Sequence, residues 1–151
     1  MKNSFIILFL VSLIFLSCKE EKKGSPSLLN SEKNAATKVT KRVGMVTGIK
    51  EDKIEYYKKL HAKVWPAVLK KIKDCNIQNY SIYLKKIGNE YYLFSYFEYT
   101  GSDYDMDMKK MAADRTTQQW WKLTDSTQKP LPEAAEKKQI WTNMEEVFHT
   151  N

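Results

Sequence analysis

The chain has little of what marks a specialised scaffold. Two cysteines in 151 residues cannot build a disulfide framework, and no Cys/His grouping has structural-zinc spacing. Five glycines and four prolines exclude collagen-like and low-complexity architectures, and no segment repeats. Two histidines, His61 and His149, leave nothing for a His-rich metal site. Basic residues outnumber acidic ones by a net +7, yet they are scattered along helices and beside carboxylates. Without a basic stripe, no nucleic-acid partner is expected. What is present is 42% hydrophobic and 13% aromatic residues, apolar mass for one packed domain.

The front of the chain differs from the rest. Met1-Lys2-Asn3 is a short positive start, followed by a nearly unbroken apolar run from Ser4 to Leu16. At about 13 residues the run is shorter than the ~20 a bilayer crossing needs, but it has the length of a secretory h-region. Phe15-Leu16-Ser17-Cys18 resembles a bacterial lipobox. The expectation is a lipoprotein signal peptide over 1–17, with Cys18 as the lipidated N-terminus that anchors the protein to a membrane of the cell envelope. An ordinary signal peptide, or a retained N-terminal helix, is the plainer reading. Residues 18–38 are rich in Lys, Glu, Ser and Asn without apolar period, a flexible tether. Its Lys19-Glu20-Glu21 start resembles export signals of surface-displayed lipoproteins. The folded domain is then 39–151, where 19 basic residues face 15 acidic ones. Cys75 has no cysteine partner there and reads as a small buried apolar residue.

Within the domain, 41–49 is strand-like, with Val43 and Met45 on one face. Asp52 and Glu55 have capping-box spacing at the start of a helix. Ile54, Tyr57, His61, Val64, Val68 and Ile72 recur at three- and four-residue steps, an apolar stripe. Pro66 lacks the amide that would bond the Ala62 carbonyl, so a kink or restart is expected at Trp65-Pro66. Segments 79–85 and 91–99 read as a hairpin, 103–113 and 116–123 as helices, 128–138 as a loop, and 143–149 as a last strand. The order βαββααβ gives an α+β fold, a ferredoxin-like antiparallel sheet with helices on one face. Its open face carries Tyr and Phe, which a homodimer would cover.

A lone His in an apolar stripe is usually a hydrogen-bonded core residue. Trp120-Trp121 is usually core or interface. Yet indoles beside Gln118, Gln119 and Lys122 are also how proteins hold sugars, a C–H face stacking on the ring. Tyr57, Tyr80 and Tyr83 could add hydroxyls. By residue type alone, the reading stops at a sugar or aromatic-ligand pocket.

The motifs go further. Tyr57-x-x-x-His61-x-x-x-Trp65-Pro66, Asn79-Tyr80-Ser81-Ile82-Tyr83-Leu84, Gln118-x-Trp120-Trp121-Lys122-x-Thr124-Asp125 and Met144-Glu145-Glu146-Val147-Phe148-His149 resemble the L-rhamnose mutarotase family, in order and at matching separations from 41 to 149. The resemblance implies a dimeric α/β barrel and a cofactor-independent epimerase interconverting the α and β anomers of L-rhamnose. It implies His61 as catalytic proton donor and Tyr57, Tyr80, Trp120 and Trp121 as substrate-binding residues. The chemistry suits these residue types. Mutarotation opens the pyranose by protonating the ring oxygen while the anomeric hydroxyl loses its proton, and imidazole exchanges protons near its ordinary pKa of ~6.5. A second acid–base group is needed, for which a tyrosine hydroxyl or a water would serve.

One departure stands out: the family is typically short and without an export signal. Export shifts the expectation toward sugars released from polysaccharide, L-rhamnose or another 6-deoxy sugar such as fucose. Two other classes share the fold: a non-catalytic sugar-binding lipoprotein, and a ferredoxin-like monooxygenase, which rests on fold analogy alone. Retention of His61 with all its aromatic neighbours argues against the first.

Overall fold

A computed structural model of the chain describes residues 40–150. Cys18, the signal segment and the tether lie outside the described residues. The elements run β1 (Lys41–Ile49), a 3-10 turn (Glu51–Lys53), α1 (Ile54–His61), α2 (Pro66–Asp74), β2 (Ile77–Ile87), β3 (Glu90–Tyr99), α3 (Tyr104–Ala113), α4 (Arg115–Asp125), β4 (Gln128–Lys129), α5 (Pro132–Glu136) and β5 (Thr142–Met144). The fold is α+β, with an antiparallel sheet in the order β2-β3-β1-β4 and β5 added to the same free edge of β1. No helix among the described residues is long and apolar enough to cross a membrane.

β1 is the hub. It pairs with β3 over its whole length, from Lys41 opposite Tyr99 to Ile49 opposite Tyr91. On its other side β5 takes Gly44–Val46 and β4 takes Gly48–Ile49. Alternation sends Val43, Met45, Thr47 and Ile49 to the helical side, where Val43 and Ile49 join Ile54, Ile77, Leu93 and Phe97 in the buried core. Gly48 permits the close approach of β4, since a Cβ there would stand 2.7 Å from the Lys129 carbonyl oxygen.

The break foreseen at Pro66 is real. α1 ends at His61, and α2 restarts with Pro66 in its first turn, where a missing N–H leaves no helical bond unmade. α3 and α4 start on side-chain caps, Asp103 accepting from the Met106 amide and Asp114 from the Thr117 amide. The Asp52–Glu55 box does not form. The chain takes a 3-10 turn over Asp52, Lys53 stands at the cap position of α1 with no side-chain capping bond, and Glu55 pairs with Lys58 at 2.7 Å. Two further expectations are corrected. The stretch read as a loop holds β4 and α5, with Pro132 at the helix start and Ala134 buried. The final strand is three residues long, and beyond it Val147 and Phe148 are exposed.

Candidate active site

A cavity of about 970 Å³ lies between the helical face of the sheet and helices α1, α2 and α4. His61 enters it from the last turn of α1. Its ring lies over Tyr57 with centroids 4.1 Å apart and meets Trp120 edge-on at 5.4 Å. The Nδ1 atom sits 3.0 Å from the backbone carbonyl oxygen of Tyr57. A carbonyl only accepts, so Nδ1 carries a hydrogen and Nε2 is left as the atom that exchanges protons. Burial lowers the His61 pKa below its ordinary 6.5, against a smaller upward pull from the Tyr57 carbonyl.

Tyr57 is buried one turn earlier. Burial of its hydroxyl pushes its pKa far up, with further upward pushes from Tyr80 and Asp125; the Gln128 side chain pulls the other way. The phenol therefore stays protonated and available as a hydrogen-bond donor. Trp120 is buried and braced edge-on by Trp65, with centroids 5.5 Å apart, while Trp121 is partly exposed at the cavity rim.

Tyr80 arrives by a local irregularity. The β2–β3 register slips between Gln78 and Ser81, with Asn79 at a φ of 50°. The slip sets Asn79 and Tyr80 together against one β3 residue, so Tyr80 turns to the cavity side and packs on Phe97 at 5.5 Å. Both Gln78 and Asn79 donate to the Glu98 carboxylate, at 2.9 and 2.7 Å, which holds the bulge. The Tyr80 hydroxyl is desolvated, raising its pKa. A β-branched residue resists a left-handed backbone, so Asn79→Val is expected to destabilise the bulge and lower Tm by a few degrees. A thermal melt that coincides with the parent's would show that the strand takes Val at this position without loss.

Residues 42–150 match the family model described as L-rhamnose mutarotase. The chain belongs to the L-rhamnose mutarotase family. An L-rhamnose mutarotase of Oceanobacillus iheyensis is 33% identical over 109 residues, covering 72% of this chain and 97% of the relative. One from Lactiplantibacillus plantarum is 30% identical, covering 72% of this chain and 96% of the relative. The crystal structure of an L-rhamnose mutarotase from Formosa agariphila shares the fold, with a TM-score of 0.56 at 21% identity over 74% of this chain and 99% of that one. The family is one of isomerases acting on carbohydrates.

Of the residues singled out in the sequence, His61, Tyr57, Tyr80, Trp120 and Trp121 all line this cavity. Tyr83 does not: past the bulge it points to the outer face and is exposed. Three polar residues with no role assigned from sequence also face or flank the cavity. Asp125 lines it at the end of α4, and buried Gln128 lines it from β4. Buried Ser95 lies behind Tyr80. Asp125 stood inside a quoted motif without a role. Gln128 fell in a stretch that reads as loop, where no period points inward.

Proposed function

We propose that the protein is a mutarotase that interconverts the α and β anomers of L-rhamnose, or a related 6-deoxy sugar, by general acid–base ring opening. The observation that carries this is the His61 ring, tied at Nδ1 to the Tyr57 carbonyl and presenting Nε2 to an aromatic-walled cavity. In this reading Nε2–H is the proton donor to the ring oxygen and retakes the proton on closure. Trp120 and Trp121 stack on the C–H faces of the pyranose, and the Tyr57 and Tyr80 hydroxyls take its oxygens. Ile49, Leu93 and Trp141 supply apolar wall for a 6-methyl group. Saturation-transfer NMR on equilibrated L-rhamnose tests it. Saturation passing between the two anomeric protons only with protein present is expected; line broadening without exchange would leave a sugar-binding protein.

The same reading includes a homodimer and an envelope location. The outer sheet face presents Tyr83, Tyr92, Phe94 and Tyr96, and beyond it the apolar pair Val147-Phe148 is unburied. A second copy of the chain is the occupant that would cover this aromatic face. Removing residues 143–151 is expected to give monomer or aggregate by light scattering; an unchanged dimer would place the contact elsewhere. Lipidation at Cys18 would tether the enzyme outside the cytoplasm, among sugars released from glycans.

A further inference from the structure

The cavity lining holds an acceptor that the fold itself does not use. Gln128 is 4% exposed, and its Oε1 has no hydrogen-bond partner. A buried acceptor of this kind is kept where a ligand supplies the donor. Gln128 is fixed by the sheet through the pairing of β4 with Ile49.

Asp125 lines the same cavity as Gln128. It sits one helical turn beyond Trp121, so both project from the same side of α4. It is half-buried, lines the cavity, and has no cation within salt-bridge distance among the described residues.

We propose that Asp125 is the second acid–base group of the reaction, with the Gln128 carbonyl accepting a sugar hydroxyl to hold the ring between Asp125 and His61. The proposal rests on the mutarotase reading. In ring opening, the Asp125 carboxylate takes the proton of the anomeric hydroxyl, and the C1 oxygen forms a double bond to C1. The C1–ring-oxygen bond breaks, its electron pair goes to the ring oxygen, and His61 Nε2 delivers a proton there. The open aldehyde turns about C1–C2. On closure the freed ring hydroxyl attacks the other face of C1 and gives its proton to His61 Nε2, the C1–oxygen double bond becomes single, and Asp125 returns its proton to the C1 oxygen, so atoms and charge balance over the cycle.

Asp125 faces Tyr57 from α1 and Thr124 on its own helix; Lys58 and Lys73 also line the cavity, and Lys50 is engaged with the Ser126 carbonyl. Burial raises its carboxyl pKa above the ordinary 3.8, with Thr124 opposing. An acid limb in kcat/KM is therefore expected above 3.8, where the carboxylate becomes protonated.

The test uses the full chain, L-rhamnose and the NMR exchange assay. Asp125→Asn, which keeps shape and size, is expected to lower kcat about 10²–10⁴-fold, leave sugar binding by tryptophan fluorescence unchanged, and remove the acid limb. Gln128→Met is expected to raise KM about tenfold. If the unaltered chain exchanges anomers and Asp125→Asn does so equally well, or loses rate with its acid limb intact, the role of Asp125 is overturned. An unmoved KM in Gln128→Met overturns the part given to Gln128. If the unaltered chain exchanges no sugar, it is the mutarotase reading that falls.

Discussion

His61→Ala is expected to remove catalysed anomer exchange, a loss of roughly 10²–10⁴-fold, with the fold retained. The substitution deletes the imidazole of the cavity and leaves the rest of its lining in place. Structurally it takes away one ring packed on Tyr57 and Trp120 and one bond to a backbone carbonyl. Alanine suits the last turn of α1 and His61 is half-exposed, so melting is expected to stay close to that of the parent. The pH profile separates a proton donor from a passive wall. Burial holds the His61 pKa below 6.5, so the imidazolium that donates is depleted as pH rises through that lowered value. The alkaline limb of kcat/KM should therefore lie on the acid side of 6.5 and be missing in His61→Ala. Exchange at the parent rate in the variant, or a limb that survives it, would move the donor role to another group.

Elements made by hydrophobic period and proline were legible in the sequence. β1 and β3 alternate cleanly because one face of each is core, and the α1–α2 break is written in Pro66. Tertiary context decided the rest. Asp52 and Glu55 have the right spacing for a box, but the backbone at Asp52 is already turning in a 3-10 conformation and Glu55 has Lys58 within reach. β4 is two residues long and exists because Gly48 lets another chain segment come close. No period can announce a strand of that length.

The site divides along the same line. His61, Tyr57, Trp120 and Trp121 lie on helices whose stripes are readable, and they converge. Tyr80 reaches the cavity only through a slip at Asn79, which inverts the alternation and sends Tyr83 outward. Asp125 and Gln128 stand at the end of a helix and in a two-residue strand, and their placement depends on how far β4 is drawn along β1.

Gly101→Ala is expected to be the most damaging single change to stability outside the cavity. A Cβ at this position would land on the hydroxyl and ring of Tyr99, with the Cε2 atom 2.8 Å away. Tyr99 cannot move aside cheaply. It is 3% exposed, packs edge-on against Tyr104 at 5.2 Å, donates to Asp107 Oδ2 at 2.8 Å, and accepts from the Asp103 amide at 3.0 Å. Asp107 is itself buried and also receives Asn76 Nδ2 at 2.7 Å and Lys110 Nζ at 2.8 Å. One added methyl thus strikes a network that ties the start of β2, the end of β3 and α3, and a buried carboxylate left short of a donor is costly. A fall in Tm of roughly 10 °C or more follows at neutral pH. Acid titration reads the same network. Lys110, then Asn76 and Tyr99, hold the Asp107 carboxyl down to about 2, below its ordinary 3.8. Its contribution is complete above 3.8 and is lost as pH falls toward 2. Gly101→Ala, by displacing Tyr99, should shrink that acid-side contribution, and Asp107→Asn should remove it. Thermal melts at pH 7 and pH 3 check both; a Gly101→Ala protein melting with the parent at each pH would mean that the Tyr99 loop gives way without loss.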